Sequence, residues 1–263
     1  MDKALVRVER DEGVAWVTLD NPASMNALSA PMLEQLSRVV DGIHGDASVR
    51  CVVITGAGKA FCAGGDLLGF RAAVAEGSPH PLLDKLRYAQ DVFDRIAALP
   101  MPVVGAVNGY AIAGGLELLL CCDLILAAES AKIGDGHARY GIIPGGGASA
   151  RLPRKLSANR ANYLLLTGEL LPAKTLEDWG LVNRVVPDAE LTAAAGTLAR
   201  TICGHSPLGL RTIKDLLRNS TESSAAQATR AEIDAFADYA NSRDFAEGLA
   251  AFAEKRQPKF SGH

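Results

Sequence analysis

The sequence predicts an α/β fold built on parallel strands and followed by a helical C-terminal region. Three short apolar runs, "CVVITG" from residue 51, "VVGAVNG" from residue 103 and "LILAAE" from residue 124, are continuous rather than alternating. Such runs are typical of strands that are buried on both faces. Stretches with helical spacing lie between the runs, and this alternation of strand and helix indicates a parallel sheet. From about residue 188 the pattern is helical only.

The first elements are a hairpin and a helix. "ALVRVER" and "VAWVTLD" alternate apolar and polar residues around "DEG", which predicts an antiparallel hairpin with one buried face. The segment from Pro31 to about His44 has helical spacing, and proline suits a first helical turn. Residues 82–99 have the same spacing and stop at "LPMP". A further helix is predicted to start at the glycines of "GGLELLLCCD".

The C-terminal region is predicted to be a set of helices. One helical face is formed by Leu191, Ala194, Ala195, Leu198, Ala199 and Ile202, at steps of three and four. Further helical stretches follow near 207–219, 223–240 and 243–255. We therefore divide the chain into an α/β core over residues 1–190 and a helical region over residues 191–263 that faces the core or another subunit.

Composition excludes several classes of function. The 263 residues suffice for a core that needs no disulfide or structural metal. With 27 basic and 30 acidic residues the net charge is −3, which argues against a broad nucleic-acid surface. The most apolar run, "LELLLCCDLILAA", carries two carboxylates and is too short to span a bilayer. The start of the sequence lacks the apolar segment of a secretory signal. We expect a soluble, cytoplasmic protein without membrane contact.

Several familiar motifs fail. The five cysteines are odd in number, lie mostly in apolar runs and form no CxxC pair, which predicts reduced core thiols and no zinc site. "GAGKAF" lacks the third glycine of a dinucleotide fingerprint and the Ser or Thr of a P-loop. "GHSPLG" places its second glycine one residue too far for a nucleophile elbow.

Two strand ends rich in glycine are candidate ligand sites: "GKAFCAGGD" at 58–66 and "NGYAIAGGLEL" at 108–118. Ligands bind at strand ends in open parallel sheets, and glycines let them approach backbone N–H groups. Two such groups directed at one point would form an oxyanion hole, with Glu117 one turn into the following helix. Taken singly, each motif is explained better by a tight turn, with Glu117 as a solvated helix residue.

Four segments together carry a resemblance to a known family: "AFCAGGDL", "PVVGAVNGYAIAGGLELLLCCDLILAAESAKIG", "GIIPGGGASARLPR" and "LTGELLPAKTLEDWGLVNRVVP". The chain resembles the crotonase family of enoyl-CoA hydratases and isomerases from about residue 5 to its end. The resemblance implies a crotonase-like spiral of repeated β-β-α units with a helical C-terminal region. It also implies assembly into trimers or dimers of trimers, and a coenzyme A thioester as substrate, without a further cofactor or metal.

The resemblance also implies roles for individual residues. The oxyanion-hole N–H groups would belong to Gly65 and Gly114, and they would hold the thioester oxygen as it gains enolate character. Contacts with coenzyme A are implied for Ala23, Ser24, Ala27, Ala63, Asp66 and Leu67. We expect residues 68–90 to line or cover the acyl site.

The sequence departs from the family at one catalytic position. Hydratases of the family use two glutamates, and Glu117 matches the first. Twenty residues later, in "IGDGHARYGIIPGGG", the second position holds His137. An imidazole can give or take a proton near neutral pH. Glu117 would activate water, and His137, or Glu117 returning the same proton, would protonate the α-carbon. Asp135, Arg139 and Tyr140 could orient the imidazole or the substrate.

The leading prediction is thus a hydratase that adds water to a 2-enoyl-CoA. Three alternatives stay open. His137 could activate water for C–C bond cleavage of a 3-oxoacyl-CoA, as in retro-Claisen hydrolases of the family. An isomerase is disfavoured by the missing second glutamate. A member that binds acyl-CoA without chemistry is disfavoured by the presence of Glu117 and both glycines. His137 could also merely shape the acyl pocket.

Overall fold

A six-stranded and a four-stranded sheet form the centre of the computed structural model, which describes residues 4–75 and 80–263. The strands, in chain order, are β1 (Val6–Asp11), β2 (Val14–Leu19), β3 (Cys51–Gly56), β4 (Ala60–Cys62), β5 (Val103–Val107), β6 (Tyr110–Ile112), β7 (Leu124–Ala128), β8 (Lys132–Gly134), β9 (Leu170–Pro172) and β10 (Arg184–Val186). The larger sheet has the order β1-β2-β3-β5-β7-β10 and the smaller one the order β4-β6-β8-β9.

The predicted hairpin is present as β1 and β2. The two strands are antiparallel, with Val6 opposite Leu19 and Asp11 opposite Val14. Both turn residues, Glu12 and Gly13, have positive φ angles of 46° and 84°. Such turns match the twist of the flanking strands. All the other neighbours in the larger sheet are parallel, as the continuous apolar runs predicted.

The smaller sheet consists of three-residue strands, which the sequence did not reveal because three residues show no hydrophobic period. Its strands β4, β6 and β8 are parallel, and β9 runs antiparallel to β8. Along the chain, β3 is followed by β4, β5 by β6, and β7 by β8, so that each turn of the chain contributes one strand to each sheet. This arrangement confirms the predicted spiral of β-β-α units.

Eleven α-helices lie within the described residues. They are α1 (Ala30–His44), α2 (Leu67–Ala75), α3 (His80–Ala97), α4 (Gly114–Leu119), α5 (Ala148–Lys155), α6 (Ala158–Thr167), α7 (Ala173–Trp179), α8 (Leu191–Cys203), α9 (Pro207–Ser220), α10 (Ala225–Tyr239) and α11 (Arg243–Glu254). The bounds of the predicted helices therefore agree with the observed bounds within a few residues. At the start of α1, the Ser29 hydroxyl accepts a hydrogen bond from the Met32 amide.

Helix α8 packs against strands β2, β3, β5 and β7 of the larger sheet. Its buried side chains, among them Leu191, Ala195 and Ala199, belong to the same hydrophobic core as the strands. The helices that follow, α9 to α11, have no such buried apolar face apart from Ala251. The division at residue 190 into a core and an oligomerisation region stays a prediction.

The cysteines lie mostly in the core, as their apolar surroundings in the sequence predicted. All five are free thiols, four of them buried, and burial raises the pKa of Cys51, Cys62 and Cys121 to about 12. Within the described residues, no helix is both long and apolar enough to cross a bilayer. The same part of the chain contains no group of three His, Cys, Asp or Glu side chains that could hold a metal ion.

Candidate active site

One cavity of about 650 Å³ collects residues from six separate parts of the chain, between Leu28 and Leu170. Its wall contains Ala63, Gly65, Leu67, Gly114, Glu117 and His137. The rest of the lining is mainly apolar, and α2 and α3 supply one side of it. The structure thus brings together both predicted acid/base residues and both predicted oxyanion glycines.

The two turns that carry Gly65 and Gly114 lie against each other. A Cβ atom on Gly114 would stand 3.3 Å from the amide nitrogen of Gly65, and one on Gly64 would stand 3.0 Å from the amide nitrogen of Gly114. The Leu28 amide fixes the first turn by donating to the Gly64 carbonyl at 2.8 Å. The second turn contains Ala113 with φ 52° and ψ −116°, a conformation unfavourable for a residue with a Cβ atom.

These turns leave two amide groups beside the cavity. Gly114 is the first residue of α4, so its N–H group has no acceptor within the helix. The bond that fixes the first turn uses the Leu28 amide and the Gly64 carbonyl, and it does not involve the Gly65 N–H group. Two neighbouring donors on a cavity wall can stabilise a developing oxyanion.

Glu117 lies one turn into α4 and is only 3% exposed. Its Oε1 atom accepts hydrogen bonds from the amides of Gly146 at 2.7 Å and Ala148 at 3.1 Å. Both bonds go to Oε1, so Oε2 is the oxygen left for a ligand in the cavity. A carboxylate held in this way has a fixed orientation and one free basic atom, as a general base requires.

His137 begins the short 3-10 helix His137–Tyr140 and forms a pair with Asp135. Its Nδ1 atom lies 2.9 Å from Oδ1 of Asp135, which has no exposed surface. Burial disfavours the charged imidazole, but the hydrogen bond and charge of Asp135, together with the charge of Glu117, outweigh it. The pKa of His137 is therefore raised above its ordinary value.

The residues implied in coenzyme A binding divide into two groups. Ala63 and Leu67 line the cavity. The other four, Ala23, Ser24, Ala27 and Asp66, are not part of its wall. Ala23 and Ser24 are exposed in the 3-10 helix Pro22–Ser24 and do not line the cavity. Asp66 accepts from the Gly69 amide at 3.1 Å at the start of α2.

The expected acyl-site segment does contribute to the cavity. Phe70, Arg71, Leu82, Lys85, Leu86 and Ala89 all line it. The tip of the Phe70 ring would lie 3.2 Å from a Cβ atom on Gly65, and the Lys85 ammonium lies 5.2 Å from the ring centroid. Residues 76–79 of this segment lie outside the described residues.

The sequence did not reveal what holds the carboxylate of Glu117. The donors are backbone amides in the "PGGGA" run at 144–148, where the glycines alone signalled a close backbone approach. A Cβ atom on Gly146 would stand 2.6 Å from Oε2 of Glu117 and 2.9 Å from the Phe93 ring. Glycine is therefore required at this position for the loop to reach the carboxylate.

Known proteins are similar to this chain in sequence and in fold. The enoyl-CoA hydratase/isomerase family matches residues 9–263. The chain is 36% identical over 255 residues to 2,3-dehydroadipyl-CoA hydratase of Escherichia coli (strain K12), with 97% of this chain and 98% of the relative covered. It is 35% identical over 266 residues to 1,2-epoxyphenylacetyl-CoA isomerase of the same organism, with 100% and 99% covered.

A solved structure agrees with these relatives. The enoyl-CoA hydratase of Bacillus anthracis is similar with a TM-score of 0.94 and 34% sequence identity, over 99% of this chain and 100% of that chain. The relatives are named as hydratases and as isomerases at almost equal identity, so their names fix the family and not the reaction. The chain belongs to the enoyl-CoA hydratase/isomerase family, the crotonases.

Proposed function

We propose that the protein is an enoyl-CoA hydratase in which Glu117 is the general base. The observation that carries this proposal is the placement of Glu117: Oε1 is bonded to two amides, and Oε2 is left at a cavity that also contains Gly65 and Gly114. The substrate would be a 2-enoyl thioester of coenzyme A. The scheme draws on no metal or further cofactor.

In the proposed reaction the thioester oxygen lies between the amides of Gly65 and Gly114. Oε2 of Glu117 takes a proton from water, and the oxygen of that water forms a bond to the β-carbon. The electron pair of the double bond moves through the α-carbon to the thioester oxygen and gives an enolate. The two amides stabilise that charge, and each such donor is worth about 10²–10³ in rate.

The enolate must then take a proton at the α-carbon. Protonated His137 can supply it, because its raised pKa keeps a larger fraction of the imidazole charged near neutral pH. Glu117, now carrying the proton of the water, is the second donor. Either route returns the electron pair to the α-carbon and gives a 3-hydroxyacyl-CoA.

Oxygen-18 water and mass spectrometry test this function. We expect wild type to add one labelled oxygen to a linear 2-enoyl-CoA without breaking a carbon–carbon bond. Glu117→Gln should lower the rate by about 10²–10⁴-fold, since it removes the base. Glu129→Gln, an exposed glutamate away from the cavity, is the matched control. A shifted double bond without label, or bound acyl-CoA that never reacts, would contradict the proposal.

The Asp135–His137 pair favours one second candidate, a hydrolase that cleaves a carbon–carbon bond. An imidazole held by a buried carboxylate can activate water for attack on the β-carbonyl of a 3-oxoacyl-CoA. The bond between the α- and β-carbons would then break, and its electron pair would leave as the enolate between Gly65 and Gly114. The imidazolium would return the proton of the water to the α-carbon, which gives a carboxylate and a shortened acyl-CoA. Labelled carboxylate from a 3-oxo substrate, lost in His137→Ala and retained in Glu117→Gln, would establish this reaction instead.

The proposal includes assembly into trimers or dimers of trimers. The C-terminal helices expose large apolar side chains, namely Ile213, Leu217, Ile233, Phe236, Leu249 and Phe252. Exposed large apolar side chains concentrated in one part of a chain support a contact with another protein surface. Sedimentation equilibrium should give three or six copies, and a monomer would contradict this part of the proposal. The cytoplasmic location stays a prediction.

A further inference from the structure

The loop that holds Glu117 is itself held by side chains outside the cavity wall. We call residues 145–148 the anchor loop, since its amides bond Oε1 of Glu117. From α3, the Gln90 amide donates to the Gly145 carbonyl at 2.8 Å. From α5, the Arg151 guanidinium donates to the Gly146 carbonyl at 2.6 Å. The other end of Arg151 is paired with Asp94, one turn after Gln90 on α3.

One peptide group links Gln90 directly to Glu117. The carbonyl of Gly145 accepts from Gln90, and the N–H of Gly146, in the same peptide group, donates to Oε1 of Glu117 at 2.7 Å. Hydrogen bonds in such a chain polarise and strengthen one another. The Gln90 side chain therefore both fixes this peptide plane and strengthens its bond to the carboxylate.

The anchor loop has little room to move independently of these partners. Gly146 packs against the Phe93 ring and the Glu117 carboxylate, with no space for a Cβ atom. Gly147 has a φ of 107°, and a Cβ atom there would stand 2.1 Å from Nη1 of Arg151. The Arg151 guanidinium therefore both packs against the loop and bonds to the Gly146 carbonyl, next to the donors to Oε1.

We propose that Gln90 and Arg151, the latter oriented by Asp94, are positioning residues for the carboxylate of Glu117. They act through the anchor loop and do not touch the reacting atoms. The inference rests on the proposed function for its effect on rate, because only there does Glu117 transfer the proton. It assigns a role in proton-transfer geometry to two side chains that would otherwise only stabilise a loop.

The test compares Gln90→Met, Arg151→Met and Arg151→Lys with wild type. The matched control is Arg154→Met, on the same helix, whose ion pair with Glu222 at 3.8 Å is exposed and away from the loop. The first readout is amide hydrogen exchange at Gly146 and Ala148, with Glu117→Ala, which removes the acceptor of both amides, as the benchmark for lost bonds to residue 117. The second is kcat for hydration of crotonyl-CoA, beside Kd for the unreactive butanoyl-CoA.

We expect faster exchange at Gly146 and Ala148 in Gln90→Met and Arg151→Met, approaching that of Glu117→Ala, and unchanged exchange in Arg154→Met. We expect kcat to fall about 10-fold or more, as misplaced catalytic groups cause, with Kd altered less than about twofold. Arg151→Lys keeps a donor for the Gly146 carbonyl. It should therefore recover part of the protection from exchange and part of kcat. Arg151→Met should add little to the loss in Glu117→Gln, since both act on one group.

Two results would overturn the inference. Unchanged exchange in both Gln90→Met and Arg151→Met would show that neither side chain holds the loop. Faster exchange with an unaltered kcat would show that these residues have a structural role only. The same would follow if the affinity for butanoyl-CoA fell by as large a factor as kcat. A wild-type protein that does not hydrate crotonyl-CoA would count against the proposed function, and the exchange measurement would still decide whether the two residues hold Glu117.

Discussion

The carboxylate of Asp135 contacts His137 twice, at the ring and at the backbone. Oδ1 lies 2.9 Å from Nδ1 of the imidazole, and Oδ2 accepts from the His137 amide at 3.3 Å. Gly136 lies between them with φ 69°, a backbone conformation that suits glycine and lets residues two apart meet. In the neutral ring the proton is on Nδ1, which donates it to Oδ1 of Asp135, and the lone pair is therefore on Nε2. This nitrogen is the one that can serve a substrate.

Asp135→Asn should move the pH dependence assigned to His137 to lower pH. The carboxylate favours the charged imidazole and raises the pKa of His137, so its neutral replacement removes that effect. We expect the corresponding midpoint in the pH–rate profile to fall. Asp188→Asn, which removes an exposed carboxylate bonded to the Ser130 amide, is the control and should leave the midpoint unchanged. Coincident midpoints for wild type and Asp135→Asn would contradict the role of Asp135.

The same pair makes stability depend on pH with a defined sign. A histidine with a raised pKa in the folded state contributes stability that is fully present below its unfolded value of about 6.5. That contribution is lost as pH rises through the folded value. The free energy of unfolding of wild type should therefore exceed that of His137→Gln by more at about pH 5.5 than at about pH 8.5. Urea unfolding at the two pH values measures the difference. An opposite trend would show that folding does not raise the pKa of His137.

Gly64→Ala should separate the two amides at the cavity. Its φ is 96°, and the added Cβ would stand 2.8 Å from the carbonyl oxygen of Ile112 and 3.0 Å from the Gly114 nitrogen. These are backbone atoms, so the turns themselves must shift. We expect kcat to fall by about 10²–10³-fold, the effect of losing one oxyanion donor, while the variant still folds. Gly180→Ala, at φ 89° with open space around it, controls for the strain of positive φ alone. Equal rates for the two variants would contradict the role of the turn.

The larger sheet was predictable and the smaller one was not, for a physical reason. Strands such as β3 and β5 are continuous apolar runs of five or six residues, long enough to stand out from helices. The strands of the smaller sheet contain three residues each, and their pairing depends on contacts between distant turns. The sequence therefore predicted the layers and the spiral only through the resemblance to a family.

The candidate site was predictable to a similar degree. Among the residues that line the cavity, Glu117, His137 and the glycines belong to motifs that can be recognised in the sequence. The donors to Glu117 are backbone amides, and Gln90, which donates to the Gly145 carbonyl beside them, lies 55 residues earlier in the chain. No local pattern records where a peptide plane points in the folded chain. Such contacts become visible only in the structure, and the roles of the site residues stay predictions.

Gly146→Ala should damage the site more than the fold. The new Cβ would stand 2.6 Å from Oε2 of Glu117 and 2.9 Å from the Phe93 ring, so the carboxylate or the loop must give way. We expect kcat to fall about 100-fold, as displacements near 1 Å can cause. Gly42→Ala is the control, because nothing lies within 4 Å of its Cβ position on the exposed side of α1. It should stabilise the protein by about 0.5–1 kcal/mol without altering kcat.

Asp244 ties the C-terminal tail to the start of α9. The side chain is 1% exposed and accepts from the Ser206 hydroxyl at 2.6 Å, the Ser261 amide at 2.7 Å and the Gly262 amide at 3.1 Å. Burial disfavours the charge, but these hydrogen bonds outweigh it and lower the pKa of Asp244. Asp244→Asn replaces one acceptor oxygen by a donor group facing other donors.

We expect Asp244→Asn to lower the free energy of unfolding by about 1–3 kcal/mol at neutral pH, the cost of unsatisfied buried polar groups. An aspartate with a lowered pKa contributes stability above its unfolded value of about 3.9, and this is lost as pH falls through the folded value. The difference between wild type and variant should therefore shrink in acid. Asp215→Asn breaks only an exposed pair with Arg218 and should cost less than about 0.5 kcal/mol. Urea unfolding measures both, and equal losses for the two variants would mean that the tail contributes no more than a surface ion pair.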